Sequence, residues 1–139
     1  MKFVAIAAIA LGAIAVAPAQ AAVVKYKADL SGANEVPPTK SKGTGTVAIS
    51  YDDATHKLSW VVTYKDLKPL MAHFHGPAAA GANAGVEIPL KGSLASPVKG
   101  SATLTADEAK QLSGGMLYFN MHTAHNKGGA IRGQVVPAM

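Results

Sequence analysis

Residues 47–64 read VAISYDDATHKLSWVVTY. Val47, Ile49 and Tyr51 alternate with Ala48 and Ser50, Asp52 and Asp53 break the run, and Leu58, Trp60, Val62 and Tyr64 resume it. Side chains along a strand point to opposite faces in turn, so a period of two writes one apolar and one solvated face. Two such runs around a polar turn predict two half-buried strands. Trp60, the single tryptophan, is expected to anchor the core between sheets.

The same period extends in both directions. Val24, Tyr26, Ala28 and Leu30 alternate with Lys25, Lys27 and Asp29, and a loop, SGANEVPPTKSKG, follows. Its Pro37 and Pro38 cannot donate to a strand ladder. Further strands are expected near Leu70–His75, Val86–Leu90, Val98–Leu104, Met116–His122 and Ala130–Val136, with GPAAAGANAG a long loop between the first two. One helix interrupts them: Thr105-Ala106-Asp107-Glu108 fits a capping box, and Gly114-Gly115 ends the segment after Leu112. Seven or eight short strands at regular spacing predict an all-β, antiparallel sandwich with one short helix.

The amino terminus belongs to a different design. Lys2 precedes the apolar run Phe3–Ala17, and Ala19-Gln20-Ala21 has the small-x-small form of a cleavage site. Residues 1–21 are therefore expected to be a signal peptide and residues 22–139 the exported domain, in the periplasm or secreted. The run is shorter than the roughly 20 apolar residues a bilayer span needs, so no membrane span is expected after cleavage. Without Lys2, 12 basic side chains face 8 acidic ones, and 11 of the 12 are scattered lysines. A nucleic-acid surface would cluster arginines and interleave aromatics, so no nucleic-acid partner is expected. The absence of cysteine excludes disulfides, thiolate metal sites and cysteine nucleophiles.

Four of the five histidines fall into two groups, His73/His75 and His122/His125. On a strand, His73 and His75 share a face with Met71, while Leu70, Ala72 and Phe74 are expected to point to the core. Tyr118, Asn120 and His122 share one face of a later strand, with Leu117, Phe119 and Met121 on the other. His125 stands three residues beyond His122, where Asn126-Lys127-Gly128-Gly129 can bend the chain back. Paired imidazoles on one strand and at the end of another could supply three or four nitrogen ligands. Nitrogen ligands without cysteine, with methionines nearby, favour copper, and zinc is the runner-up. The expected ligands are His73, His75 and His122, with His125 as a weaker fourth and Met71 as an axial one. His56 has no such companion and is expected to be a surface residue without a partner.

SGANEVPP at 31–38, AHFHGPA at 72–78 and LYFNMHTAHNKGGAIRGQV at 117–135 together resemble the CHRD (chordin-type) domain. The resemblance covers about Lys25 to Val136 and implies an immunoglobulin-like sandwich, akin to copper–zinc superoxide dismutase. It implies little about activity. The family's H-x-H-G-P pattern falls on His73, His75, Gly76 and Pro77, its N-x-H-T on Asn120, His122 and Thr123, and its G-x-I-R-G-Q on Gly129 to Gln134. Family members usually carry an acid where this chain has Ala130, which removes a partner for Arg132. His125 stands where a small residue is usual.

Three functions compete. One is a copper-binding protein for storage, delivery or resistance, exchanging the ion with a copper-donating or copper-accepting periplasmic protein. Another is a superoxide dismutase-like enzyme, which needs an open metal position and a steering cation. Arg132, the only arginine, could steer, or it could pair with Glu35 or another acid on the strand surface. The third is an adhesion or interaction module, which would carry exposed aromatic residues in its loops. No Ser-His-Asp triad, paired-carboxylate site or phosphate loop is recognisable, so binding without efficient turnover is expected.

Overall fold

The computed structural model describes residues 12–17 and 22–139. Most of the expected signal segment, its cleavage site included, lies outside the described residues. Among the described residues there are nine strands and one α-helix. The strands are β1 (Val23–Ser31), β2 (Thr44–Asp52), β3 (Lys57–Lys65), β4 (Met71–His75), β5 (Val86–Pro89), β6 (Val98–Thr103), β7 (Tyr118–His122), β8 (Ile131–Gln134) and β9 (Val136–Pro137). The helix α1 spans Ala106–Ser113, and a single 3-10 turn covers Gly32–Asn34. Every pairing among them is antiparallel.

The strands run in the order β5-β4-β7-β8-β1-β2-β3-β6, with β9 added to β1. Between β8 and β1 the ladder thins to Ser31 opposite Arg132. The sheet folds at that seam into two halves that enclose one core. Tyr26, Ala28 and Leu30 of β1, Val47, Ile49 and Tyr51 of β2, and Leu58, Trp60 and Val62 of β3 fill it from one side. Ala72, Phe74, Phe119, Met121 and Ile131 fill it from the other. Trp60 meets Phe74 across the halves with ring centroids 5.3 Å apart, and Phe74 meets Phe119 at 4.9 Å. The tryptophan is the inter-sheet anchor that its period predicted.

Register explains how so large a ring is housed. Trp60 lies opposite Ile49 on one flank and opposite Gly100 on the other. A Cβ at Gly100 would stand 2.7 Å from the indole, so only glycine leaves room there. The helix forms as its cap predicted: the Thr105 hydroxyl accepts from the Glu108 amide, and the Glu108 carboxylate accepts from the Thr105 amide.

Two expected inward residues are not inward. Leu70 is 65% exposed: it precedes β4, which begins at Met71, and only its amide joins the neighbouring strand, donating to His122 O. Val24 is the second residue of β1 and is exposed.

The strand that matters most is β7. Strands with one wet face alternate, yet all five residues of β7 are buried. Phe119 and Met121 face the core, while Tyr118, Asn120 and His122 lie beneath loops. Three loops, around residues 32–39, 76–85 and 124–129, build this roof. It is pinned by Gln134 Nε2 donating to Ala78 O and Gly115 O, by Asn83 Nδ2 donating to Val36 O, and by Thr39 Oγ1 donating to Ala130 O.

Candidate metal centre

Strands β4 and β7 are neighbours, and their register decides what meets. Met71 lies opposite His122, His73 opposite Asn120, and His75 opposite Tyr118. Residues opposite one another across an antiparallel pair share a face. One layer therefore carries Met71, His73 and His75 beside His122, Asn120 and Tyr118, on the side away from the core. A bulge where β5 pairs with Phe74 and His75 breaks the ladder beside the site.

The imidazoles of His73, His75 and His122 gather, with one nitrogen from each lying within 4.8 Å of the others. His73 Nδ1 and His122 Nε2 are 3.0 Å apart. Two nitrogens bound to one ion at about 2.0–2.1 Å stand roughly 3 Å apart when their bond angle is near 95°. The same gap thus serves as a hydrogen bond in the free protein and as a ligand spacing around an ion. The 4.8 Å spread is wider than the roughly 4.1 Å that two nitrogens on a single ion can span even in line with it, so binding an ion would need the rings to close by about 0.7 Å or more.

The far nitrogens are fixed. His75 Nδ1 lies 3.1 Å from Ala84 O, and His122 Nδ1 lies 2.8 Å from Lys127 O. A carbonyl only accepts, so each Nδ1 carries the proton and each Nε2 presents a lone pair. Metal-bound histidines are held by the same kind of bond from their other nitrogen. His122 Nε2 faces His73. Among the described residues, His75 Nε2 is buried with no hydrogen-bond partner. A buried acceptor left unpaired carries a desolvation cost and asks for an explanation.

Electrostatics favours the ligating form. Burial first, then the neighbouring His122 and His75, hold the His73 imidazole below its usual pKa. Burial also dominates at His75, assisted by His122 and Arg132, and it outweighs the opposing pull of Ala84 O and of the Asn120 amide. Both rings are thereby kept neutral, as a metal ligand must be.

Behind His75 stands a column that the strand pattern only partly revealed. The Tyr118 ring is parallel to His75, tilted by 2° with centroids 4.8 Å apart. On the other face of Tyr118 the Arg132 guanidinium lies 3.4 Å from the ring centroid. Arg132 is 2% exposed and donates to Asn83 Oδ1 at 2.9 Å and to Ala82 O. The surface ion pair considered for it does not form: among the described residues the ion pair is Lys27–Asp29. Glu35, also considered as its partner, is itself buried and accepts from Asn120 Nδ2 at 3.4 Å. Burial pushes the Glu35 carboxyl up, against the pull of Asn120, Arg132 and its own loop backbone.

The remaining candidates lie toward the surface. Met71 is half exposed at the rim, on the histidine face and opposite His122. His125 is exposed in the turn after β7, beside Asp66 and Lys68, and is not among the gathered imidazoles. His56 is exposed as expected, but it has a partner: Tyr51 Oη is 3.0 Å from its Nδ1. The carbonyls of Ala84 and Lys127 left no mark in the sequence, because any residue supplies a carbonyl.

The family model for the CHRD domain matches residues 26–135, nearly all of the described fold. No curated protein and no solved structure matches the chain.

Proposed function

We propose that this chain, which belongs to the CHRD domain family, is an exported protein that binds copper on His73, His75 and His122, for storage, delivery or resistance. The observation that carries this reading is the unpartnered, buried Nε2 of His75 beside two further imidazole nitrogens. An ion there would satisfy it and use the lone pairs that Ala84 O and Lys127 O have set in place. Export rests on the amino-terminal apolar run and its small-x-small end.

Copper is preferred to zinc because the set is imidazole without thiolate and the rim offers a thioether in Met71. Zinc is the second candidate, since neutral imidazoles serve it equally. Turnover is not part of the proposal. A dismutase needs a cation that meets its anionic substrate, and the Arg132 guanidinium is engaged beneath the loops instead. A periplasmic donor or acceptor would exchange the ion from the rim where Met71 is exposed.

The test is a copper titration of the purified protein against a chromophoric chelator, with metal content measured after dialysis. One copper per chain is expected. His122→Ala and His75→Ala should each weaken binding by about 100-fold or more, above the range for outer-shell changes. His56→Ala should leave it unaltered. If His56→Ala and His122→Ala titrated alike, the assignment would be wrong. Copper-loaded protein should dismutate superoxide no faster than free copper at equal concentration.

A further inference from the structure

Resting on that reading of the site, we propose that its ion is monovalent copper and that Arg132, acting through Tyr118 on His75, is the residue that sets this preference. The ligand chemistry points the same way from the start. Three imidazoles gather with no carboxylate among them. Met71 shares their face opposite His122. Soft thioether donors select copper(I), whereas copper(II) favours a tetragonal set of nitrogen and oxygen ligands. Structural zinc takes four ligands, one more than the gathered set holds.

The stack behind His75 adds a charge argument. Arg132 is always protonated, is buried, and lies against Tyr118, whose other face covers His75. Repulsion between two cations scales with the product of their charges. A divalent ion beside His75 therefore meets twice the penalty that a monovalent ion meets. Arg132 cannot swing away to relieve it, since Asn83 Oδ1 and Ala82 O hold both of its terminal nitrogens. Glu35 is the acid facing this layer, linked to it through Asn120. Its burial favours the uncharged carboxyl, so it offsets the guanidinium incompletely.

The experiment measures copper(I) and copper(II) affinities separately, each by competition with an indicator chelator specific for that state, and the reduction potential of the bound ion. Wild type is expected to hold copper(I) more tightly. Arg132→Met should shift the affinity ratio at least tenfold toward copper(II), a fall of about 59 mV for a one-electron couple. Arg132→Gln, a second neutral variant that can still donate to Asn83 Oδ1, should shift the ratio in the same direction. It decides the matter if Arg132→Met does not fold. Ratios within twofold of wild type in a folded Arg132→Met or Arg132→Gln would overturn the role of Arg132. Tighter copper(II) than copper(I) binding by wild type would overturn the choice of ion while leaving the copper site standing. Failure to bind copper in either state would overturn the site itself.

Discussion

At His75 a single ring is held from both ends. Its Nδ1–H is committed to Ala84 O, its face to Tyr118, and its Nε2 to nothing. This arrangement has a consequence for pH. Free histidine titrates near 6.5, and burial holds both His73 and His75 below their usual value in the fold. The unfolded chain therefore binds protons more readily than the native one. Stability from these two rings is full above about 6.5 and is lost as pH falls through their lower native values. The melting temperature of the metal-free protein should fall between pH 7.5 and 5.5, and the fall should be shallower in His75→Gln. Equal slopes would contradict a buried neutral ring. In the proposed site copper would compete with protons for the same lone pairs, so affinity should weaken over the same interval. Tyr118 supports the ring indirectly: its hydroxyl donates to Ala84 O at 3.0 Å and accepts from the Ala84 amide at 3.1 Å. Tyr118→Phe keeps the stack and removes both bonds. It should weaken copper binding by about tenfold, the scale of an outer-shell change, as the chelator titration would read.

At the scale of elements, β7 and the row through Trp60 divide the work between site and stability. Strand β7 is buried on both faces, and its polar face becomes an interior only because loops from elsewhere in the chain cover it. The row Tyr26–Ile49–Trp60–Gly100 crosses β1, β2, β3 and β6 on the opposite side of the core. Gly100→Ala forces a Cβ against the indole and should cost about 1–3 kcal/mol, the usual range for overpacking, in denaturant unfolding. Because the row is remote from the imidazoles, copper affinity should not change. Thr105→Ala deletes one half of the capping box and should cost about 1 kcal/mol, again without altering the metal site. Gly129, between the last turn and β8, is different. Its φ of 131° suits glycine, and a Cβ there would collide with Glu35 Oε1 and Asn120 Nδ2. A substitution at that position should disturb stability and site together.

On the scale of the whole molecule, His73 and His122 are 49 residues apart in the chain and 3.0 Å apart in space. Topology closes that distance, since β7 inserts beside β4 after the chain has passed through β5, β6 and α1. The site therefore exists only in the folded protein, and an ion bound there stabilises the fold by linkage. At a free copper concentration of 100 times the dissociation constant, the gain is about 2.7 kcal/mol. For a domain of this size that is a rise in melting temperature on the order of 10 °C. Calorimetry with and without the ion checks it, and His122→Ala should abolish the rise.

The strands, the inter-sheet role of Trp60, the capped helix and the shared faces of His73/His75 and Tyr118/Asn120/His122 were all legible in the chain. Each depends on a period of two or on contacts within a few residues, and local sterics and alternation determine these without knowledge of the partner strand. Leu70 and Val24 were misplaced because alternation says nothing about where a strand's cover ends. What the chain could not show was anything that depends on pairing order. That includes which strand lies beside β4, that loops roof the polar face of β7, and that Arg132 lies buried against Tyr118 rather than paired with Glu35 at the surface. It also includes the exclusion of His125 from the gathered imidazoles, although it lies three residues from His122. Long-range register brings Phe74, Phe119 and Trp60 together in the core, and the histidines follow the strands that carry them.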